Sequence, residues 1–222
     1  NETLPKGRKQ KTTALYDRFV NQGAVMGDSF GLENVLWFAN NKEDAHEEPT
    51  IKRSRSHDYV SKEVINVREN VGLIEVANFS KHEFKGPDAR KFLDHIMAGR
   101  LPKPGRISLS PMLSYRGKLC GDLTVACLDE NEFMVFGSGA AQEMHRRWFE
   151  SHLDKFNLSY SNRSDEYHGL SIAGPNSRKV LEKIVRDDVS NEKFKFRDSR
   201  RMFVGGVPAI INRISFTGEL GY

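Results

Sequence analysis

Cysteine is scarce in this chain: its 222 residues include only Cys120 and Cys127. Seven positions apart in one extended segment, the two thiols would stand roughly 20 Å from each other, beyond disulfide reach. That excludes a disulfide-stapled secreted scaffold, and free thiols point to a reducing compartment, bacterial cytoplasm or mitochondrial matrix. Long apolar runs are also missing. No stretch approaches the roughly 18 residues of a membrane-spanning helix, and no signal-peptide pattern opens the chain, which predicts a soluble chain with no membrane partner. A strong charge of one sign is missing too, since 34 Lys and Arg against 30 Asp and Glu leave +4. The basic residues are scattered instead of forming a stripe with interleaved aromatics, which argues against nucleic acid, and so mild an excess suits a small anionic ligand or nothing in particular. The short basic run Lys52-Arg53-Ser54-Arg55 follows the acidic stretch 43–48 and reads as a solvated loop.

What is present is globular. Hydrophobic residues make up 38% and charged residues 29%, with a mean hydropathy of −0.58. That is wetter than a self-sufficient domain usually is, as though part of the apolar partner surface lay elsewhere. The first residue is Asn and the last segment, Phe216-Thr217-Gly218-Glu219-Leu220-Gly221-Tyr222, reads as an interrupted strand and turn. The expectation is a piece of a longer polypeptide.

Along the chain, residues 1–11 are basic and polar, like a tail or linker. Residues 13–20 have helical spacing, 31–39 are aromatic and suited to docking, 40–58 read as a loop, and 59–68 as a helix. Alternation predicts strands at 72–76 and 81–84. Gly86-Pro87-Asp88 opens a helix at 89–97, with Asp88 complementing the exposed amides of the first turn. Further strands are expected at 107–113, 119–128 and 132–136, then an amphipathic helix at 140–153. Lys85-Gly86-Pro87-Asp88-Ala89-Arg90-Lys91-Phe92-Leu93 is echoed 88 residues later by Ala173-Gly174-Pro175-Asn176-Ser177-Arg178-Lys179-Val180-Leu181. Two strand–turn–helix units at that separation suggest duplicated α+β subdomains.

Few residues offer chemistry. Phe136-Gly137-Ser138-Gly139-Ala140-Ala141 joins a strand to a helix, but Gln142 stands where a dinucleotide fingerprint needs a small residue, and an antiparallel meander precedes it. The turn, with Ser138 at the helix entry, could still meet an anion or a polar ring edge, or be a plain connection. His145 and His152 share a helix face without a further ligand, so no metal site is expected. Neither Cys has an evident base beside it. Asp122 lies at the head of an apolar strand in which Leu123, Val125 and Cys127 alternate. Such an acid is either buried, where it could bond a ring nitrogen or take part in proton transfer, or an edge-strand group facing water. Glu219, between Gly218 and Gly221, is free to point at a ligand, and a carboxylate matches the paired donors of an amino-pyrimidinone edge. The bland alternative is a tight turn with Glu219 in solvent.

An ordered set of segments resembles the folate-binding aminomethyltransferases typified by the glycine-cleavage T-protein. They are Thr13-Ala14-Leu15-Tyr16-Asp17 with Gly23-Ala24-Val25; Val71-Gly72-Leu73-Ile74-Glu75-Val76; Gly117-Lys118-Leu119-Cys120-Gly121-Asp122-Leu123-Thr124-Val125; and Ser215 to Tyr222. Gly31-Leu32-Glu33 with Trp37-Phe38, and Lys81 to Gly86 after Asn78-Phe79, look most like the folate module of dimethylglycine and sarcosine dehydrogenases. The resemblance implies an α+β fold of ferredoxin-like lobes around a folate channel, with a C-terminal β-rich lobe missing. It implies residues 1–58 as linker and docking segment, 59–156 as the first lobe and 157–222 as a truncated second lobe. It implies tetrahydrofolate as cofactor, FAD in an upstream domain outside this chain, and an iminium derived from an N-methyl amine as the partner reactant. Asp122 matches the family acid beside the reactive folate nitrogens and Glu219 the glutamate that holds the pterin, while Phe79 and Leu113 could line the ring. Two departures stand out: Gly121-Asp122 replaces a pair of acids, and Phe216 replaces a Tyr. A folate-dependent demethylase without flavin and a non-catalytic regulatory homologue are the alternatives. Retention of both Asp122 and the Thr217-Gly218-Glu219 turn favours the enzyme.

Overall fold

The computed structural model describes residues 5–47 and 50–222, so residues 1–4 of the expected tail and Glu48 of the acidic stretch lie outside the described residues. Helix α1 (Tyr16–Asn21) precedes an antiparallel hairpin, β1 (Ala24–Ser29) and β2 (Leu32–Phe38). The aromatic stretch expected to dock is therefore largely a strand. Lys11 bridges to Leu32, and Arg8 pairs with the buried Glu33 of β2. Helix α2 (Ser56–Glu69) starts inside the stretch expected to be loop and buries none of its residues. Its Val60, Val64 and Ile65 remain exposed.

The centre is a five-stranded sheet. Strand β3 (Gly72–Glu75) lies outside it, while β4 (Phe79–Lys85) leads to helix α3 (Ala89–Ile96). Strands β5 (Arg106–Leu113), β6 (Leu119–Asp129) and β7 (Glu132–Ser138) then form a meander. Helix α4 (Gln142–Glu150) returns the chain to β8 (Ser159–Asn162). The expected single helix at 140–153 is thus shorter, flanked by 3-10 turns at Gly139–Ala141 and Leu153–Lys155. The strand order is β5-β6-β7-β4-β8, all antiparallel. Within it, β8-β4-β7-β6 is the order of a ferredoxin-like lobe, with β5 added at one edge.

Both helices cover one sheet face. Ala89, Phe92, Leu93 and Ile96 recur at helical spacing along α3 and meet Phe84, Leu123, Val125, Cys127, Phe133 and Val135 from the sheet, with Phe149 of α4. The second unit consists of β9 (Leu170–Ala173), helix α5 (Ser177–Leu181), β10 (Ser199–Val204) and β11 (Val207–Asn212), with a core around Leu181, Phe194, Met202 and Tyr222. Strand β3 pairs with β9, and β8 with β4, so hydrogen bonding crosses residue 156 in both directions. The units are tied where Arg106 pairs with the buried Asp198 and the Ile107 amide donates to the Arg197 carbonyl at 2.9 Å.

The echo in the sequence is an echo in space. Gly86 and Gly174 hold φ of +137° and +122°, each followed by Pro and a residue entering a helix. A Cβ at Gly174 would also come within 2.5 Å of the Asn70 carbonyl oxygen, so glycine is required there by both strain and space. After each helix a single bridge returns to the following strand, Met97 to Met112 and Val185 to Val204. One expectation needs correction. Asp88 makes no capping bond to its own helix; its carboxylate accepts from the Asn157 amide at 2.8 Å and so pins the turn into β8.

His82 of β4 is fully buried, with Nδ1 2.8 Å from the Tyr160 hydroxyl and its ring edge-on to Phe149. Burial, with a smaller push from His145, lowers its pKa from 6.5 to about 4. Between those values the unfolded chain binds the extra proton, so stability is complete above about pH 6.5 and falls as the pH drops toward 4, by about 3 kcal/mol in all. Urea unfolding at a series of pH values should show this slope and a flatter one for His82→Phe. His145 is lowered by burial in the same direction, so the variant is what isolates the His82 share. An unchanged slope in His82→Phe would contradict it.

Candidate functional site

Strand alternation decides what the uncovered sheet face carries. On β6 the residues Leu123, Val125 and Cys127 turn toward the helices, which sends Asp122, Thr124 and Ala126 to the other side. Cross-strand partners share a face. Asp122 stands opposite Pro111, Thr124 opposite both Leu109 and Phe136, Lys81 opposite Phe136, and Phe79 opposite Ser138. The lower part of this face is covered: Ile210 and Ile214 pack against Ile107, Ala126 and Met134. The upper part is open, with Phe79, Leu109 and Leu113 exposed by 47%, 62% and 38%.

Four of the five residues singled out in the sequence therefore share one open surface: Asp122, Ser138, Phe79 and Leu113. The expectation for Asp122 is corrected in one respect. It is neither buried nor on an edge strand, because β6 lies between β5 and β7 and the covering segment reaches only to the level of Ala126. Among the described residues, its side chain has no hydrogen-bond or ion-pair partner. A carboxylate standing free beside exposed apolar side chains suits a ligand with a flat apolar body and a polar edge.

Glu219 lies on another wall. The segment that covers the sheet at Ile214 continues into a turn at residues 215–219, where Gly218 has φ of +97° and its amide donates to Ser215 Oγ at 2.7 Å. Thr217 Oγ1 donates to the Glu219 carboxylate. This bond lowers the Glu219 pKa, helped by its own backbone amide and by Arg68 at the end of α2. No hydrogen bond or ion pair among the described residues joins Glu219 to Asp122. Beyond the turn, Ile172 and Tyr222 exchange backbone bonds at 2.9 Å, so the Glu219 turn is anchored to β9. Phe216, at the tip, is fully exposed.

Lys81 is a residue that sequence reasoning passed over as part of a motif. It is 3% exposed, and its ammonium donates to the carbonyls of Ala77 and Phe79 at 3.0 and 2.6 Å. Burial lowers its pKa, with Asp165 opposing. Its signal was available, since it follows Phe79 by two positions on a strand and must share its face. Its bonds to the Ala77 and Phe79 carbonyls tie down the entry to β4, where that ring stands.

A second concavity of about 480 Å³ opens on the helix side, between α4 and the ends of β5 and β6, lined by Met112, Cys120, Arg147 and Trp148 among others. It has no carboxylate to meet a pair of ring donors, so the Asp122 face is the better candidate.

The family model described as the GCVT N-terminal domain matches residues 15–222. Mitochondrial dimethylglycine dehydrogenase of Homo sapiens is 33% identical over 216 residues, covering 96% of this chain and 25% of that protein. An aminomethyltransferase of Thermotoga sp. is 28% identical over 214 residues, covering 96% of this chain and 53% of that protein. The chain thus spans a quarter to about half of these relatives. Among solved structures, the glycine cleavage system aminomethyltransferase T from Bartonella henselae superposes with a TM-score of 0.77 at 22% identity, over 96% of this chain and 52% of that one. At that identity the likeness speaks to the fold. No helix among the described residues is long and apolar enough to cross a membrane.

Proposed function

Because the chain belongs to the GCVT N-terminal domain family, and so is a folate-binding, aminomethyltransferase-type domain, we propose that it captures a one-carbon unit for a flavin-dependent N-methyl amine dehydrogenase of the dimethylglycine or sarcosine type. The observation that carries this reading is the open face on which an unpaired acid, Asp122, stands with Ser138, Phe79 and Leu113. The residues fit tetrahydrofolate: exposed Phe79, Leu109 and Leu113 supply an apolar bed, and Glu219 supplies an acceptor for an amino-pyrimidinone edge. In this reading residues 59–156 bring Asp122 and residues 157–222 bring Glu219, with 1–58 as the docking segment. A flavin in another domain of the full polypeptide would supply the oxidation of the amine to an iminium.

The chemistry assigned to this chain is a proton transfer. Bound here, tetrahydrofolate would offer two nitrogens to the iminium carbon; of the two N–H protons released, Asp122 would accept one, and the leaving amine nitrogen the other as its bond to that carbon breaks. The product is 5,10-methylene-tetrahydrofolate with the demethylated amine. Capture at a fixed site replaces a chance encounter and limits escape of formaldehyde. In this reading the enzyme works in a mitochondrial matrix or a bacterial cytoplasm, and the human dimethylglycine dehydrogenase it resembles is a mitochondrial protein.

Calorimetric titration with tetrahydrofolate tests the binding half of this proposal. Glu219→Gln keeps the size of the side chain but removes the charge, and should weaken binding about tenfold, the equivalent of one charge-assisted hydrogen-bond pair. Equal affinity for wild type and variant would remove Glu219 from the site.

A further inference from the structure

The two sides of one β6 segment are used by different residues. Asp122 projects from the open face, while behind it His145 of α4 lies against the sheet, 2% exposed. His145 Nε2 donates to the Cys120 carbonyl at 3.2 Å. Cys120 is the residue that the register leaves without a cross-strand partner, since Met112 pairs with Gly121 and Leu113 with Leu119. It is thus a β-bulge, a device that re-aims the side chains next to it. The imidazole fits because two positions lack a side chain. A Cβ at Gly121 would lie 2.8 Å from His145 Nε2, and one at Gly137 would lie 3.1 Å from Nδ1. Neither glycine has a φ in the left-handed region, so space, not backbone freedom, is the reason for glycine. Gly121 immediately precedes Asp122 and Gly137 immediately precedes Ser138.

We infer that His145 is a positioning residue for the Asp122 site: it fills the glycine notch behind β6 and β7, holds the bulged Cys120 carbonyl, and so sets the direction in which Asp122 leaves the strand. The contact also accounts for glycine at position 121, where the Cβ of a second acid would collide with the ring. The inference rests on the reading of Asp122 as the site acid. It adds a role for a histidine that touches neither ligand nor acid, and it couples the packing of α4 to the open face on the other side of the sheet.

The test compares variants by amide hydrogen exchange, by the side-chain carboxyl resonance of Asp122, and by tetrahydrofolate titration. His145→Phe keeps a ring beside Phe149 and removes the donor. Exchange at residues 120–122 should quicken, the Asp122 resonance should move, and affinity should fall about tenfold, as expected when a contact group is displaced by a fraction of an ångström. His145→Gln, whose side-chain N–H can reach the same carbonyl, should restore most of the affinity. A folded His145→Phe with an unmoved Asp122 resonance and unchanged affinity would overturn the inference. Should that variant fail to fold, Gly121→Ala decides. It should weaken binding in the wild type and have a smaller effect in a His145→Ala background, whereas equal effects in both would overturn the inference. Asp122→Asn separates the two proposals. Slower methylene-folate formation in Asp122→Asn without any slowing in His145→Phe sinks the His145 role alone; a normal rate in Asp122→Asn with the Asp122 resonance moved in His145→Phe sinks the Asp122 reading alone.

Discussion

Asp122→Asn should slow formation of 5,10-methylene-tetrahydrofolate by about 100-fold or more, the usual worth of a positioned general base, while tetrahydrofolate affinity stays within about tenfold. The asymmetry follows from the site. Asp122 is exposed and has no partner among the described residues, so an amide of the same shape disturbs no local network. What disappears is the capacity to accept a proton when the carbon–nitrogen bond forms. On the proposed reading, flavin reduction by the methylated amine in the full polypeptide should continue at its normal rate and formaldehyde should appear in place of the folate product. Product analysis by NMR with parallel flavin absorbance makes the measurement. A variant with normal methylene-folate yield would remove Asp122 from the mechanism. One that loses folate binding altogether would make it a holding group and not a base.

Phe84→Ala should cost about 3–5 kcal/mol of stability, the range for deleting a fully buried aromatic ring. Phe84 is 0% exposed, and its ring centroid lies 5.4 Å from that of Phe92, 5.1 Å from Phe149 and 5.1 Å from Tyr160. It thereby joins β4 to both helices and to β8, and the cavity left behind is bounded by elements that cannot all relax inward. Phe84→Leu should cost clearly less because most of the volume remains. Val64→Ala on the exposed side of α2 serves as the reference, with an effect within about 0.5 kcal/mol. Denaturant unfolding measures all three, and a loss below about 1 kcal/mol for Phe84→Ala would remove Phe84 from the centre of the core.

Much of the fold was legible because its signals are local. Alternation marked β4 to β7 within a residue or two, helical spacing marked α3, and the Gly-Pro turn recurred with the same backbone geometry at Gly86 and Gly174. Errors arose where a side chain had a choice of partner. Asp88 looked like a cap but bonds across to Asn157, because that amide lies within reach only once β8 has returned beside β4. Residues 56–58 looked like loop because charged residues mask the start of α2, where Val60, Val64 and Ile65 face outward.

The candidate site divides in the same way. Types of residue could be chosen from the chain: an acid after glycine in the Gly117–Val125 segment, a glutamate between Gly218 and Gly221, an aromatic at 79. Family likeness, not periodicity, raised them above ordinary surface groups. Only the tertiary structure set Asp122, Ser138, Phe79 and Leu113 on one face, since that depends on the register of two hairpins and on the pairing of β4 with β7, segments far apart in the chain. Only it showed that Asp122 stands in the open, that the buried Lys81 bonds the Ala77 and Phe79 carbonyls at the entry to β4, and that Gly121 and Gly137 leave room for His145, Gly137 for Leu123 as well. The sequence by itself determined the elements, because backbone periodicity and turn chemistry act over a few residues. The structure decided which faces meet and which stay open, because burial is a property of the whole packed chain.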